Sequence, residues 1–412
     1  MSKWIEGKLR DLVEVNPTVK LIKGEIYPFV SMDVIQPFYK PVEAKEEREF
    51  KSGGAKFENG DTLFARITPC LENGKIAQVK NLKNGKGFGS TEFIVLRGKE
   101  GITDTDFVYY LVTNKSFREN AERLMVGTSG RQRVDKQQFE DQIISIPDLE
   151  TQKRISSILG SIDKKIELNV EMNKTLEEMA MTLYKHWFVD FGPFQDGEFV
   201  ESELGMIPEG WECIEIGEAV SVLGGGTPKT SVKEYWENGD INWFSPTDLT
   251  TQKSLFISKS SKKITKLGLE KSSAKLFPPY CVMMTSRATI GEISINRGEA
   301  CTNQGFITLI PNETFTMYQL YFWLKTNMDL ILSIANGSTF KEVSKTNFKK
   351  LKILKPKNIE EFTQKCEKLF KLIESNLIEI EELTNIKDYL LPRLLSGEID
   401  VSQAEKQVEE VL

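Results

Sequence analysis

The chain has 412 residues, 40% of them apolar, with a mean hydropathy of −0.31 and a net charge of −6. That is length for two or three domains with real cores, and no apolar run approaches the roughly 20 residues of a membrane span. A single histidine, His186, and five widely spaced cysteines with no C-x-x-C pair (Cys70, Cys213, Cys281, Cys301, Cys366) argue against a zinc site, a disulfide framework and acid–base schemes built on histidine.

The first globular stretch, residues 1–147, carries strand-like runs, Thr62-Leu-Phe-Ala-Arg66 and Thr91-Glu-Phe-Ile-Val-Leu96, between turn sequences Glu58-Asn-Gly-Asp61 and Glu72-Asn-Gly-Lys75. Residues 107–123 read as one amphipathic helix. The start lacks a signal-peptide core, so the cytoplasm is the expected compartment.

Residues 148–190 read as a long helix capped by Asp148. Every seventh residue gives Ile155, Ile162, Asn169, Leu176 and Leu183, with Ile158 or Leu159, Ile166, Met172 and Met179 on the half-turns. This is a coiled-coil seam with one polar rung. Residues 191–210, rich in glycine and proline, read as a linker.

The second globular stretch, 211–356, repeats the order of the first. Trp211 answers Trp4, Tyr280-Cys-Val-Met-Met-Thr-Ser-Arg287 answers Gly60-Asp-Thr-Leu-Phe-Ala-Arg66, a helix at Met317 answers that at Phe107, and Asn336-Gly-Ser-Thr339 answers Gly127-Thr-Ser-Gly130. A second seam follows in 357–398: Phe362, Leu369, Asn376, Leu383 and Leu390, supported by Cys366, Ile373, Ile380 and Leu394, before a tail at 399–412. The ladders are offset by 207 residues with asparagine on the same rung. Antiparallel pairing then sets Asn169 opposite Asn376, a polar pair that costs stability and specifies register. The expected fold is α+β: two mixed α/β domains in tandem, separated and followed by long helices that pair as an antiparallel intramolecular coiled coil.

Charge follows this division. Residues 1–148 carry 23 Lys+Arg against 22 Asp+Glu and 208–356 carry 18 against 14, whereas 149–207 carry 6 against 11 and 357–412 carry 7 against 13. Neutral-to-basic domains on an acidic stalk suit domains that touch an anionic polymer and a stalk that touches protein. The outer glutamates Glu171, Glu177, Glu178, Glu374, Glu381 and Glu382 are the candidates for that docking.

Apparent catalytic motifs fail on chemistry. Phe277-Pro-Pro-Tyr280 has the end of an amino-methyltransferase motif, but Phe277 cannot accept from a target amino group. Gly224-Gly-Gly-Thr-Pro-Lys-Thr230 puts Pro228 where a phosphate loop needs glycine and removes a cradling N–H. No catalytic constellation and no metal site is read from the sequence.

Several framing motifs together resemble one family, the specificity subunits of type I restriction-modification systems. Pro147-Asp-Leu-Glu-Thr-Gln-Lys-Arg-Ile155 is similar to its helix start, Trp187-Phe-Val-Asp-Phe191 with Pro193 to its helix end, and Leu204-Gly-Met-Ile-Pro-Glu-Gly-Trp211 to the opening of its second domain. Gly226-Thr-Pro228, Tyr235, Asp240-Ile-Asn-Trp243 and Leu390-Leu-Pro-Arg-Leu-Leu-Ser-Gly-Glu-Ile399 continue the match; Lys355-Pro-Lys-Asn-Ile-Glu-Glu-Phe362 departs from it by lacking a glutamine. The resemblance implies a non-catalytic subunit whose two target recognition domains bind double-stranded DNA. It also implies two methyltransferase subunits carrying S-adenosylmethionine, and restriction/translocase subunits using ATP and magnesium, with no cofactor in this chain. A self-contained DNA methyltransferase and a coiled-coil adaptor with no DNA role are the rival classes.

A helix from Ile155 to Trp187 is about 50 Å long, enough to hold two domains at least one DNA turn, roughly 34 Å, apart. The expected target is therefore bipartite and asymmetric with a fixed gap. Candidate DNA contacts are the side chains that suit base edges and phosphates: Arg66, Lys75, Arg131, Gln132 and Arg133 in the first domain, and Arg287, Asn303, Gln304, Ser338, Thr339 and Lys341 in the second.

Overall fold

A computed structural model describes residues 4–128, 130–337 and 341–410. The chain forms two compact units, one of residues 1–169 with 379–412 and one of residues 170–378.

In the first unit a five-stranded sheet runs in the order Val13–Val15, Phe93–Gly98, Thr62–Ala65, Ile76–Val79, Pro41–Val42. Its central strands are apolar on both sides because each side meets a core. Phe64, Ile94 and Leu96 join the helices in one cluster, while Leu63, Phe93 and Val95 join a second. Glu46–Glu49, Ile26–Val30, Lys86–Gly89 and Ala55–Glu58 form a further sheet, and Trp4–Lys8 pairs antiparallel with Ile143–Pro147. The helix expected over 107–123 is two, Thr105–Thr113 and Lys115–Arg123, broken at Asn114. Asn114 is extended at ψ 135°, a conformation asparagine favours at helix starts.

The second unit repeats the five-strand order as Ser221–Gly224, Phe306–Ile310, Val282–Thr285, Ile293–Asn296, Phe256–Ile257, and Glu212–Glu215 pairs with Lys352–Lys355. Two copies of one scaffold are thus present. The linker is itself structured: Phe199–Ser202 pairs with Gly205–Pro208, and the Phe191 and Phe194 rings lie 5.7 and 5.1 Å from Trp211. Gly192 has no side chain because a Cβ there would fall 1.9 Å from the His186 ring.

Two long helices, Leu149–Phe188 and Glu360–Ser396, contribute to both units. Asp148 caps the first, accepting from the Thr151 N–H at 3.0 Å. In the first unit Asp163 accepts from Lys387 at 2.7 Å and Asn169 donates to Glu379 at 2.8 Å. In the second, Asn376 donates to Asn173 at 2.9 Å, and the Trp187 and Phe188 rings meet Phe362 at 6.1 and 4.9 Å. Rising numbers on one helix meet falling numbers on the other, so the helices pair antiparallel.

Three expectations change. Asn169 and Asn376 are not each other's partners; Glu379 and Asn173 satisfy them instead. The seam from Ile155 to Asn169 is buried as expected, but Met172 and Met179 are exposed, and the buried stripe in the second unit passes through Ala180, Tyr184, Trp187 and Phe188. The ladder of Leu159 and Ile166 continues at intervals of seven through Asn173, Ala180 and Trp187, so Met172 and Met179, one residue off it, turn outward, while Tyr184 and Phe188 add cover to the aromatic core of their own domain. The C-terminal tail contains a helix, Val401–Glu409, capped by Asp400, with Val401, Ala404 and Val408 buried and Arg154 on Glu405 at 2.7 Å. Among the described residues no helix is long and apolar enough to cross a membrane.

Candidate nucleic-acid interface

In the first unit the central strand Thr62–Ala65 runs out into Arg66. The Arg66 N–H donates to the Glu92 carbonyl at 2.9 Å, and its own carbonyl accepts from Val134 at 2.8 Å. Three separated stretches are thereby drawn together with the hairpin of Met125–Val126 and Arg133–Val134. Arg133 grips Glu92 through Nε and Nη2 at 2.8–3.0 Å. Arg131 is exposed, Gln132 is half-buried with its carbonyl accepting from Thr68 at 3.0 Å, and the Arg66 Nε is buried without a hydrogen-bond partner. Lys75 is tied down: its ammonium donates to the Met32 carbonyl at 2.8 Å.

The Arg133 guanidinium holds the Glu92 carboxyl below its usual range, against partial burial and with help from Arg66 and Lys136. A carboxylate with a depressed folded pKa stabilises above its unfolded value, about 4.3, and that contribution fades as pH falls through the lower folded value. Wild type is therefore expected to be more stable than Glu92→Gln at neutral pH, the two converging below about pH 4; acid unfolding of both proteins measures this.

In the second unit Ser286 donates to the Gly305 carbonyl at 2.8 Å and accepts from Val343 at 3.0 Å. Ser286, not Arg287, therefore stands in the place of Arg66. Matching the two arginines ignored the ladders, which pair Ala65 with Phe93 and Thr285 with Phe306. Arg287 Nη2 lies 2.7 Å from Glu342 across a β-bridge. Asn303 Oδ1 accepts from Gly305 at 2.8 Å, and Thr227 donates to Gln304 at 2.6 Å; Gln304 and Lys341 are exposed. Ser338 and Thr339 lie outside the described residues, as does Ser129.

The triple-glycine loop has a packing role. A Cβ on Gly225 would fall 1.9 Å from the Asn303 carbonyl and one on Gly226 2.3 Å from Ser273 Oγ, so only glycine allows the approach that sets Thr227 on Gln304. Trp243 Nε1 donates to the Gly226 carbonyl at 2.9 Å, its ring meets Trp236 at 5.1 Å, and the Lys262 ammonium lies 5.9 Å from Trp236. A contact chain thus links Gln304 to an exposed lysine run: Lys259, Lys262, Lys263, Lys266, Lys271 and Lys275. The equivalent edge strand of the first unit, Glu46–Glu49, is acidic and exposed. Phe277 is buried in a bridge to Ala300, which accounts for the Pro-Pro-Tyr turn without chemistry.

Sequence reasoning passed over Glu92, Glu342 and the lysine run. The run was readable as a charge cluster; the two acids, each paired through the fold, were not. Two of the proposed docking glutamates point inward: Glu177 accepts from Tyr321 at 2.7 Å and also from Lys325, and Glu374 lies 3.5 Å from Arg297.

Two copies of one scaffold, each with an arginine–carboxylate pair beside the end of its central strand and packed on its stretch of an antiparallel helix pair, define a tandem recognition-domain protein. The family described as type I restriction modification DNA specificity domain matches the chain twice, over residues 1–178 and 208–388, and the chain belongs to that family. It is 27% identical to the type I restriction enzyme HindI specificity subunit of Haemophilus influenzae, over 97% of this chain and 100% of that one. It is 37% identical to the MjaIX specificity subunit of Methanocaldococcus jannaschii over 39% of this chain and 37% of that one. The S subunit of a type I restriction-modification system from M. genitalium shares the fold, with a TM-score of 0.51 and 17% identity over 95% of this chain and 96% of that one.

Proposed function

We propose that the chain is the non-catalytic DNA-reading subunit of a type I restriction-modification complex, that each globular domain reads one half of an asymmetric bipartite target, and that the paired helices set the gap. One observation carries this: a repeated scaffold whose equivalent strand-end positions carry different groups, Arg66, Glu92 and Arg133 in one and Ser286, Gly305 and Glu342 in the other. One scaffold with two reading heads suits two half-sites, since base edges are distinguished by side-chain chemistry and not by fold. The exposed lysines of residues 259–275 supply sequence-independent phosphate contacts in the second domain.

The remaining exposed candidates on the helices, Glu171, Glu178, Glu381 and Glu382, dock two methyltransferase subunits, and restriction/translocase subunits join that assembly. The polar rungs at Asn169–Glu379 and Asn173–Asn376 hold the helix register. S-adenosylmethionine, ATP and magnesium belong to the partners.

Genome-wide adenine methylation in the host, with and without this gene, is the test. Loss of one bipartite motif with a fixed gap is expected on deletion. An unchanged pattern with the methyltransferase expressed would overturn the proposal.

A further inference from the structure

We infer that Arg133 reads a guanine in the first half-site and that Glu92 is the positioning residue that aims it, an inference that rests on the DNA-reading proposal. The geometry of the fork carries the assignment. Arg133 Nε lies 2.9 and 3.0 Å from the two Glu92 oxygens and Nη2 lies 2.8 Å from Oε1, so the carboxylate occupies the Nε side of the guanidinium. The other edge, formed by Nη1 and the second proton of Nη2, makes no hydrogen bond among the described residues. That edge is the one that matches O6 and N7 of guanine in the major groove.

Glu92 is a rigid buttress. Its carbonyl accepts from Arg66 at 2.9 Å, its N–H donates to Ser90 Oγ at 3.2 Å, and it directly precedes the sheet strand Phe93–Gly98. The Arg133 side chain keeps 43% of its surface exposed, against 23% for Glu92, so the arginine is held but not covered. An isolated surface pair of this kind contributes little to stability; fixing a long side chain in one orientation is what it does well, because the ordering entropy is spent before DNA arrives. The surroundings suit a polyanion: Arg66, Arg133 and Lys136 all act on Glu92 and Arg131 is exposed beside them in the chain, a cationic surplus that attracts phosphate.

The second domain lacks the device. The ladders put Gly305 where Glu92 stands, and Glu342 where Arg133 stands. Arg287 pairs with Glu342 from the neighbouring position instead, so the Glu92-aimed contact belongs to the first half-site.

The test uses the complete methyltransferase complex with Arg133→Lys and Glu92→Gln, read by the methylated motif and by competition among target duplexes substituted at each position. Arg133→Lys keeps the charge and loses the fork. It is expected to relax one G·C position in one half-site by roughly 10- to 100-fold in discrimination, with the other half and the gap unchanged. Glu92→Gln should relax the same position by less. If Arg133→Lys leaves the motif intact, or weakens every duplex equally as a phosphate contact would, the assignment is overturned, and a wild-type motif with no G·C pair in either half overturns it at once. A complex whose competition profile is altered but which methylates nothing still reports the position through the duplex panel. A wild-type complex with no bipartite motif sinks the DNA-reading proposal itself, an outcome distinct from a normal motif that ignores Arg133.

Discussion

Asp163→Ala is expected to cost the first unit about 3–5 kcal/mol, the range for breaking a buried ion pair from one side. Asp163 is buried on the first long helix, accepting from Tyr110 Oη at 2.8 Å and from Lys387 Nζ at 2.7 Å, and Lys40 Nζ donates to the same tyrosine oxygen at 3.2 Å. Alanine would leave the Lys387 ammonium, with only 12% of its side chain exposed, without its ion-pair partner. The double variant Asp163→Leu with Lys387→Met removes both charges and should recover most of the loss, since apolar groups of similar size often replace a buried pair at no net cost. Denaturant unfolding of the full chain, followed in the first unit, measures both. A single variant within about 1 kcal/mol of wild type would show that the pair is effectively solvated.

The second unit solves the same contact without charge. Residue 370, which lies 207 positions after Asp163, is phenylalanine, with its ring 4.8 Å from Tyr318, 5.9 Å from Tyr321 and 5.7 Å from Phe322. A polar lock on one unit and an aromatic one on the other give each pair of helix segments a preferred domain, the kind of mismatch that discourages wrong pairing between two similar scaffolds.

Local and periodic features were legible in the sequence, because a seven-residue repeat or a capping aspartate acts over a few turns. Ile155, Ile162, Asp148, Leu383 and Leu390 all have the burial or bonding their spacing implies. The tandem repeat was legible for the same reason: Trp4 with Pro147, and Glu212 with Lys355, frame each copy. What failed depended on tertiary context. Ile158 and Leu159 offer two half-turn ladders by spacing alone; Met172 and Met179 lie on the first, whereas the fold buries the second through Ile166, Ala180 and Trp187 and draws in Tyr184 and Phe188. Arg66 and Arg287 look equivalent as letters and differ by one residue in ladder register. Arg133 and Glu92 are 41 residues apart, and no pattern rule links them. The C-terminal helix was within reach, for Asp400 followed by Val401, Ala404 and Val408 is a cap before an apolar stripe.

Adding seven residues to both long helices, after Asn169 and before Glu379, is expected to lengthen the gap of the target and leave both half-sites unchanged. Seven residues add roughly 10 Å of helix, the rise of about three base pairs. They also preserve the heptad phase, so the seams on either side keep their partners: Asp163 with Lys387 below the insertion, and Asn173 with Asn376 above it. Four residues would instead rotate the seam by a fraction of a turn and should damage pairing before they alter spacing. Insertion into one helix alone leaves an unmatched heptad and is expected to abolish methylation. Three base pairs also turn the duplex through roughly 100° at 10–10.5 base pairs per turn, so the lengthened complex must follow both the rise and the twist of DNA. A methylated motif with the original gap would mean that domain-to-domain or partner contacts, and not the helices, fix the spacing. A motif with a longer gap and the same two blocks would make helix length the ruler and leave the reading of sequence to the two domains.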